Sequence, residues 1–291
     1  MEVLLPRSLN EALALKAERP EAVPIAGGTD VMVEINFGRL RPDAILDLSS
    51  VPELKEWRVE DGHIMLGAGV SYSRIINELS DFVPLVQASR SVGSPQIRNR
   101  GTVGGNLGTA SPAGDALPVL AVYDAEILVR GLMGHRTIPW DRFLRGPKKT
   151  ALASTELIVG ARWRRIRGAG SFSKVGTRNA MVISVVGVCL VMDEDRRRVK
   201  VALGSAAPTI VRAQDAEAFI EEELRKTGTW DDPAAPLNER IEQEFAERVT
   251  AAARPIDDVR GTGSYRRHAV GVLATRALNW ALADRKLRKW S

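Results

Sequence analysis

Two short segments of this 291-residue chain combine paired glycines with hydroxyl and carboxylate or amide side chains. The first, AGGTD, spans Ala26–Asp30, and the second, GTVGGN, spans Gly101–Asn106. Adjacent glycines tolerate positive φ, which turns successive backbone N–H groups toward one side, and the missing Cβ atoms let an anion approach closely. The hydroxyl groups of Thr29 and Thr102 add further donors. Two such segments suit a ligand with two phosphates, and a dinucleotide pyrophosphate is the obvious candidate.

Ordinary tight turns are the alternative interpretation, because paired glycines are common wherever the backbone reverses. The familiar phosphate-binding patterns do not decide the question. GAGVSY at Gly67 and GTGSYR at Gly261 each lack the third glycine of GxGxxG, and the sequence contains no GxxxxGK[ST]. Spacing alone therefore leaves a dinucleotide site and a pair of turns as open alternatives.

The remaining chemistry-bearing side chains exclude several kinds of site. Cys189 is the only cysteine, so the chain cannot form an intrachain disulfide, a four-cysteine zinc site or a cysteine-ligated iron–sulfur cluster on its own. It lies in an apolar run, which predicts a small buried residue rather than a reactive thiol. His63, His135 and His268 are far apart and match no metal-binding spacing. We therefore expect no catalytic constellation and no metal site in this chain.

The basic character of the chain raises the question of nucleic-acid binding, since the net charge is +5 and the isoelectric point is near 9.5. Basic residues cluster at Arg162–Arg167, Arg196–Lys200 and Arg285–Lys289. These clusters are accompanied by at most one tryptophan each, not by the series of aromatic platforms that single-strand binders use. They predict a solvated face or a docking surface for an acidic partner, and no nucleic acid.

No segment predicts insertion into a membrane. The longest apolar run, Met181–Met192, is shorter than the roughly 20 residues that span a bilayer, and its valines predict a buried strand. The N-terminus carries Glu2 and Pro6 where a signal peptide has basic residues and a longer apolar stretch. We expect no membrane span and a cytoplasmic protein.

Local patterns predict helices and strands that do not alternate strictly, which favours an α+β fold. Ser8 and Glu11 form a capping box for a helix that ends at Pro20, Ser71 caps another helix, and Asp115 begins a third. In the C-terminal part, three strands form a small sheet covered by helices at about 212–226, 238–253 and 264–285. The best linker candidate is the glycine-rich stretch 168–171, which divides the chain into domains 1–168 and 169–291.

The longest recognisable signature surrounds the second glycine segment. The run GSPQIRNRGTVGGNLGTASPAGDALPVL, together with the earlier AGGTD, resembles the flavin-binding medium subunit of the molybdenum hydroxylases, the xanthine dehydrogenase family. The segments Ser171–Arg178 and Arg254–Val270 extend the resemblance to the C-terminal part. The resemblance implies a two-lobed FAD-binding domain of the PCMH type in residues 1–168, followed by the family's C-terminal domain in residues 169–291.

Position by position, the resemblance implies a site for FAD in which both glycine segments cradle the pyrophosphate. Because a carboxylate repels phosphates, Asp115 is assigned to ribityl or loop hydroxyls and backbone N–H groups, or to the cap of its own helix. Lys174 would lie near the isoalloxazine ring, where a cation stabilises the reduced flavin; an ordinary solvated lysine is the alternative. Val92 and Ile158 would be apolar contacts of the ring. The implied cofactor-binding residues are Ile25, Ala26, Gly27, Gly28, Thr29, Asp30, Val31, Val92, Thr102, Gly104, Gly105, Asn106, Asp115, Ile158 and Lys174.

The function that this resemblance implies is that of an electron-transfer subunit. A large molybdenum–pterin subunit would oxidise the substrate, a small subunit with [2Fe-2S] clusters would relay electrons, and the FAD of this chain would pass them to NAD+, a quinone or O2. Two other functions remain as alternatives. A stand-alone flavin-dependent oxidase or dehydrogenase would bind its own substrate over the flavin, and a basic nucleic-acid-binding module would retain no flavin.

Overall fold

Two compact units, each built from several separate stretches of chain, make up the fold. The computed structural model describes residues 1–235 and 237–287. Unit 1 comprises Met1–Leu79, Val92–Ser111 and Asp124–Arg165, and unit 2 comprises Ser80–Ser91, Pro112–Tyr123 and the chain from Ile166 onward. The units are therefore interleaved along the sequence. The division into domains 1–168 and 169–291 stays a prediction.

Helices and strands are mixed throughout the described residues, as the predicted α+β class requires. The helices are α1 Leu9–Glu18, α2 Val31–Asn36, α3 Tyr72–Glu78, α4 Val83–Ser91, α5 Pro95–Arg100, α6 Val103–Thr109, α7 Ala116–Val122, α8 Trp140–Phe143, α9 Gln214–Lys226, α10 Glu239–Ala252 and α11 Gly263–Leu287. The strands are β1 Glu2–Leu4, β2 Val23–Ile25, β3 Ala44–Asp47, β4 Trp57–Glu60, β5 His63–Gly67, β6 Glu126–Gly131, β7 Gly134–Pro139, β8 Leu144–Gly146, β9 Lys149–Thr150, β10 Leu157–Arg164, β11 Gly170–Val175, β12 Val186–Asp193, β13 Arg198–Gly204 and β14 Val211–Arg212. The α+β prediction is confirmed.

Unit 1 holds a parallel sheet of order β1-β3-β2, an antiparallel sheet of order β4-β5-β10-β6-β7 and the β8-β9 ribbon. The predicted cap of α1 forms, with one change: Ser8 Oγ accepts the N–H of Glu11 at 3.2 Å, and the Glu11 carboxylate accepts the N–H of Arg7, one residue before the N-cap, at 2.7 Å. Ser71 Oγ caps α3 in the same way, by accepting the N–H of Arg74. These caps fix the helices that flank the first glycine segment and the five-stranded sheet.

Unit 2 is an antiparallel sheet of order β11-β12-β13-β14 with helices packed on it. The two-residue strand β14 adds a fourth strand to the three that the sequence predicts. Alternate residues of β12, among them Val188 and Leu190, lie in the core that α9, α10 and α11 cover. Helices α4 and α7 also pack against this sheet, so every residue of β12 is buried. Burial on both faces explains the continuous apolar run that marks this strand in the sequence.

Two glutamates of α9 accept hydrogen bonds from backbone N–H groups along the edge of β13. The backbone N–H groups of Val199 and Val201 donate to the carboxylates of Glu221 and Glu217 at 2.9 and 2.8 Å. Glu217 also forms a two-point ion pair with Arg212 of β14, in which both side chains are about one-tenth exposed. Side chains thus take the place of a further strand, which satisfies buried N–H groups and blocks edge pairing.

Two local expectations differ from the structure. The apolar run begins as a strand only at Val186, because Met181 has a φ of 51° and Met181 and Ile183 are exposed. The linker candidate is packed: Ala169 is buried, and a Cβ on Gly168 would lie 1.9 Å from the carbonyl oxygen of Met192.

The basic cluster Arg285–Lys289 extends beyond the described residues. None of the described helices is long and apolar enough to cross a membrane.

Replacing Glu217 by alanine tests the side-chain closure of the β13 edge. Glu217→Ala removes the carboxylate that accepts the Val201 N–H and pairs with the buried Arg212 guanidinium, so we expect the free energy of unfolding to fall by about 3 kcal/mol. The Glu222 side chain of the same helix is 46% exposed and serves as the matched control, with an expected change below about 0.5 kcal/mol for Glu222→Ala. Denaturant unfolding measures both, and equal effects would contradict the account.

Candidate cofactor-binding site

The first glycine segment connects β2 to α2 in unit 1 and needs its two glycines for different reasons. A Cβ on Gly27 would lie 2.0 Å from the carbonyl oxygen of Arg100 and 2.9 Å from the backbone nitrogen of Gly101. Gly28 has a φ of 76°, a conformation that side chains other than glycine rarely adopt. The first glycine therefore permits a close backbone approach, and the second permits the turn itself.

The second glycine segment forms the first turn of α6. Thr102 is the N-cap, and its Oγ1 accepts the N–H of Gly105 at 3.0 Å. The N–H of Gly104 donates to the carbonyl of Ala68 at 2.9 Å, and a Cβ on Gly104 would lie 2.5 Å from the Ala68 Cβ. The prediction that these adjacent glycines form an anion-binding nest through positive φ is wrong, because both are helical and both N–H groups have protein acceptors. Gly104 is required instead for close packing.

The two segments contact each other within unit 1, as a shared cradle requires. Gly27 lies against the backbone of Arg100 and Gly101, directly before Thr102. The carboxylate of Asp30 accepts a hydrogen bond of 3.0 Å from the hydroxyl of Thr109, near the end of α6. Thr109 was not among the predicted site residues; its position in the signature run is the only sequence signal that marks it.

Unpartnered polar groups remain on both segments. Among the described residues, the N–H groups of Gly28 and Thr29 donate no hydrogen bond to another protein group. The side-chain oxygen Oδ1 of Asn106 is buried and also has no partner within the described part of the chain. A buried carbonyl oxygen without a donor is costly, since the great majority of such groups are satisfied in folded proteins. These donors and this acceptor fit a cofactor that carries both phosphates and hydroxyl groups, as FAD does.

Two predicted apolar contacts also belong to unit 1. Ile158 of β10 is buried, and its Cδ1 would lie 3.8 Å from a Cβ placed on Gly108 of α6. Val92 is half-buried, and its carbonyl accepts a hydrogen bond of 3.1 Å from the Arg98 guanidinium. Ile158 thus adjoins the helix that the second glycine segment starts, whereas Val92 lies on the segment that leads into α5. Directly before the first segment, Ile25 Cδ1 would lie 3.3 Å from a Cβ on Gly28.

Asp115 and Lys174 form a buried ion pair in unit 2. The Lys174 Nζ lies 2.6 Å from Asp115 Oδ2, and the two side chains are 11% and 6% exposed. Lys174 also donates to the carbonyl oxygens of Ser91 and Val182 at 2.8 and 3.0 Å, and the Ser91 hydroxyl donates to Asp115 Oδ2 at 3.0 Å. The ammonium therefore links β11, the end of α4, the start of α7 and the segment before β12.

This geometry changes the roles assigned to both residues. Asp115 makes no side-chain cap on α7, so the capping interpretation is wrong. Lys174 is not an ordinary solvated lysine either. Burial raises the pKa of Asp115 above its ordinary value, and Lys174 offsets part of that rise. Ser91 completes the cluster, and nothing in the sequence pattern of α4 distinguishes it from other helix-end serines.

Comparison with known proteins identifies the family. Residues 1–162 match the family model described as the FAD binding domain in molybdopterin dehydrogenase, and residues 171–281 match the CO dehydrogenase flavoprotein C-terminal domain. The chain belongs to this family of molybdopterin dehydrogenase flavoproteins. FAD as the cofactor of this chain, its character as an oxidoreductase component and its resemblance to the medium subunits of molybdenum hydroxylases are thereby confirmed.

Members of this family from several organisms resemble the whole chain or much of it. A putative xanthine dehydrogenase FAD-binding subunit of Escherichia coli is 28% identical over 95% of this chain and 94% of its own length. The nicotinate dehydrogenase FAD-subunit of Eubacterium barkeri is 35% identical over 64% of this chain and 66% of its own. The solved carbon monoxide dehydrogenase of Hydrogenophaga pseudoflava superposes with a TM-score of 0.86 at 26% identity, covering 97% of both chains.

Removing the ammonium of Lys174 tests the buried pair. In Lys174→Met the pKa of Asp115 rises further, so the Asp115 carboxyl holds its proton more tightly in the folded state than in the unfolded state. Stability then falls as the pH rises from the unfolded pKa through the folded pKa. We expect a loss of about 3 kcal/mol in the free energy of unfolding at about pH 7, and a much smaller loss near about pH 4.

The double variant Lys174→Met/Asp115→Asn is the control, because it removes the charge that the single variant leaves uncompensated. It should recover most of the loss at about pH 7. Urea unfolding at both pH values measures these differences. A loss that is independent of pH and persists in the double variant would show that Lys174 acts by packing alone.

Proposed function

We propose that this chain is the FAD-carrying electron-transfer subunit of a cytoplasmic molybdenum-containing hydroxylase or dehydrogenase complex. A large subunit with a molybdenum–pterin cofactor would oxidise the substrate, and a small subunit with [2Fe-2S] clusters would supply the electrons. This chain would deliver them to an external acceptor, either NAD+, a quinone or O2. The observation that carries the proposal is the contact between the two glycine segments, which gathers unpartnered donors and a buried unpartnered acceptor in a chain of this family.

The first segment would hold the cofactor pyrophosphate. The N–H groups of Gly28 and Thr29 are the donors that no other described protein group uses, and they would bind the phosphate oxygens. Asp30 would stay with Thr109 and keep its charge away from the phosphates. The buried Oδ1 of Asn106 would accept a hydrogen bond from a cofactor hydroxyl. The second segment would thus contribute a side-chain acceptor, while the N–H groups of Gly104 and Gly105 stay with their protein partners.

By the family resemblance, Lys174 would lie near the isoalloxazine ring, and this position is part of the proposal. FAD supplies the redox chemistry by accepting electrons singly and releasing them in pairs. The three hydrogen bonds of the Lys174 ammonium go to Ser91, Asp115 and Val182, so the lysine would act on the flavin through its charge alone. Because Asp115 already balances that charge, the net electrostatic effect on the reduced flavin would be smaller than that of a lone cation. Asp115 would act through Lys174. We therefore expect Asp115→Asn to raise the reduction potential of bound FAD relative to the wild-type protein.

The single cysteine supports placing the iron–sulfur clusters in another chain, since a [2Fe-2S] centre needs several cysteine ligands. No group of three or more His, Cys, Asp or Glu side chains in residues 1–235 and 237–287 is arranged to hold a metal ion. Cys189 itself is buried, and burial raises the pKa of its thiol far above the ordinary range. The prediction that it is a small buried residue is confirmed.

The decisive experiment is anaerobic reduction of the purified complex and of the isolated chain. The proposal predicts stoichiometric FAD in both, with molybdenum and iron present only in the complex and substrate reducing the flavin only there. A stand-alone oxidase would show substrate bleaching of the flavin in the isolated chain. A chain that retained no flavin and bound DNA or RNA with strong salt dependence would be a nucleic-acid-binding module instead.

Asn106 offers a sharp test of the cofactor cradle. Asn106→Ala removes an oxygen that has no partner among the described residues, so folding should lose little, whereas FAD should lose one hydrogen bond. We expect the dissociation constant for FAD to rise about tenfold. Asn10→Ala, at an exposed position of α1, should leave it unchanged. Flavin fluorescence titration measures both, and an unchanged affinity in Asn106→Ala would contradict the assignment.

A further inference from the structure

A short loop of unit 2, residues 255–261, presents apolar side chains to solvent between α10 and α11. Val259 at its tip is fully exposed, at 104% of the reference area, and Ile256 is 65% exposed. Tyr265, in the first turns of α11, is also exposed and would lie 3.7 Å from a Cβ on Gly261. Single exposed apolar residues are ordinary, but three grouped at one loop form a patch of the kind that marks an interaction surface.

Ion pairs between Asp258 and two arginines hold the loop in place. The carboxylate of Asp258 accepts hydrogen bonds from the guanidinium groups of Arg260 and Arg266 at 2.6 and 2.5 Å. Arg266 is only 1% exposed and also donates to the carbonyl of Ser205 at 2.9 Å. The Arg260 partner holds the pKa of Asp258 well below its ordinary value, so the brace persists across the physiological pH range. A braced loop loses little entropy when a partner binds to it.

A groove between α10 and α11 adjoins this loop, with glutamates along its α10 side and arginines at the end next to the loop. Asn279 of α11 contacts Glu242 near the start of α10, and Gly271 approaches Thr250 near its end, so the two helices run antiparallel. The groove between them has a volume of about 840 Å³. The end next to the 255–261 loop is lined by three basic residues, Arg254, Arg267 and His268.

The arginines at the basic end of the groove are available to pair with carboxylates of a partner. Among the described residues, neither Arg254 nor Arg267 forms an ion pair with a carboxylate. An apolar centre beside unpaired cations matches the arrangement of protein interfaces, where a dry core is surrounded by a charged rim.

We propose that the 255–261 loop and the basic end of the α10–α11 groove form a docking surface for a partner subunit that presents an apolar patch flanked by carboxylates. This inference rests on the proposed function, which supplies the partner as another subunit of the molybdenum-containing complex. Val259 and Ile256 enter the apolar patch, and the partner's carboxylates pair with Arg254 and Arg267. The surface lies entirely within unit 2.

Val259→Asp tests the docking surface in the complex purified through an affinity tag on this chain. We expect the iron or the molybdenum per FAD to fall about tenfold or more, because a charge enters the apolar centre of the interface. FAD per chain and the melting temperature of the isolated chain should stay unchanged, since the side chain contacts no core. Met133→Asp is the matched control: Met133 is 96% exposed near the β6–β7 turn of unit 1. It should leave both metal ratios at the wild-type value.

Arg267→Glu provides a second, independent variant on the rim. It should lower the same metal-to-FAD ratio and make the remaining association less sensitive to salt. Wild-type metal ratios in both Val259→Asp and Arg267→Glu overturn the docking surface while leaving the proposed function intact. A wild-type preparation that carries FAD but neither molybdenum nor iron overturns the proposed function itself, and the docking partner with it.

Discussion

The close approach of Gly27 to the backbone of Arg100 and Gly101 is the contact on which the proposed cofactor site depends. At a separation where a Cβ would lie 2.0 Å from a carbonyl oxygen, no other residue fits without moving one of the two segments. This contact sets the turn at Gly28 beside the start of α6. The hydrogen bond between Asp30 and Thr109 joins the same two segments at a second point. The free N–H groups of one segment and the buried Asn106 of the other are thereby held in one unit.

Unit 2 follows a different constraint, since its sheet is packed by helices from separate parts of the chain. Helices α4 and α7 come from the N-terminal half, and α9, α10 and α11 come from the C-terminal third. Lys174 links these parts by bonding to Ser91, Asp115 and Val182 together. A buried ion pair stabilises little in net terms, because desolvation opposes the attraction. Its geometry nevertheless determines which segments of unit 2 meet. The pair therefore contributes more to the positions of these segments than to the free energy of unfolding.

Much of this architecture could be predicted from local sequence, and the failures have physical causes. The helices capped by Ser8 and Ser71 and the three C-terminal helices follow from capping residues and periodicity. Paired glycines are typical of turns, so the sequence predicts positive φ at Gly104 and Gly105. In the structure Thr102 caps a helix that contains both glycines. The Asp115–Lys174 pair joins residues 59 apart, which no local pattern can show. The packing of α4 and α7 in unit 2 likewise depends on contacts between residues far apart in sequence.

The central claim is that the contact at Gly27 builds the FAD site, and an equilibrium titration of FAD into the Gly27→Ala variant tests it most directly. The added methyl group must push the two segments apart, so the account predicts FAD binding weakened about tenfold or more in a protein that remains folded. Gly134→Ala, where a Cβ meets nothing within 4 Å, should bind FAD as the wild-type protein does. A folded Gly27→Ala protein with wild-type affinity for FAD would contradict the account.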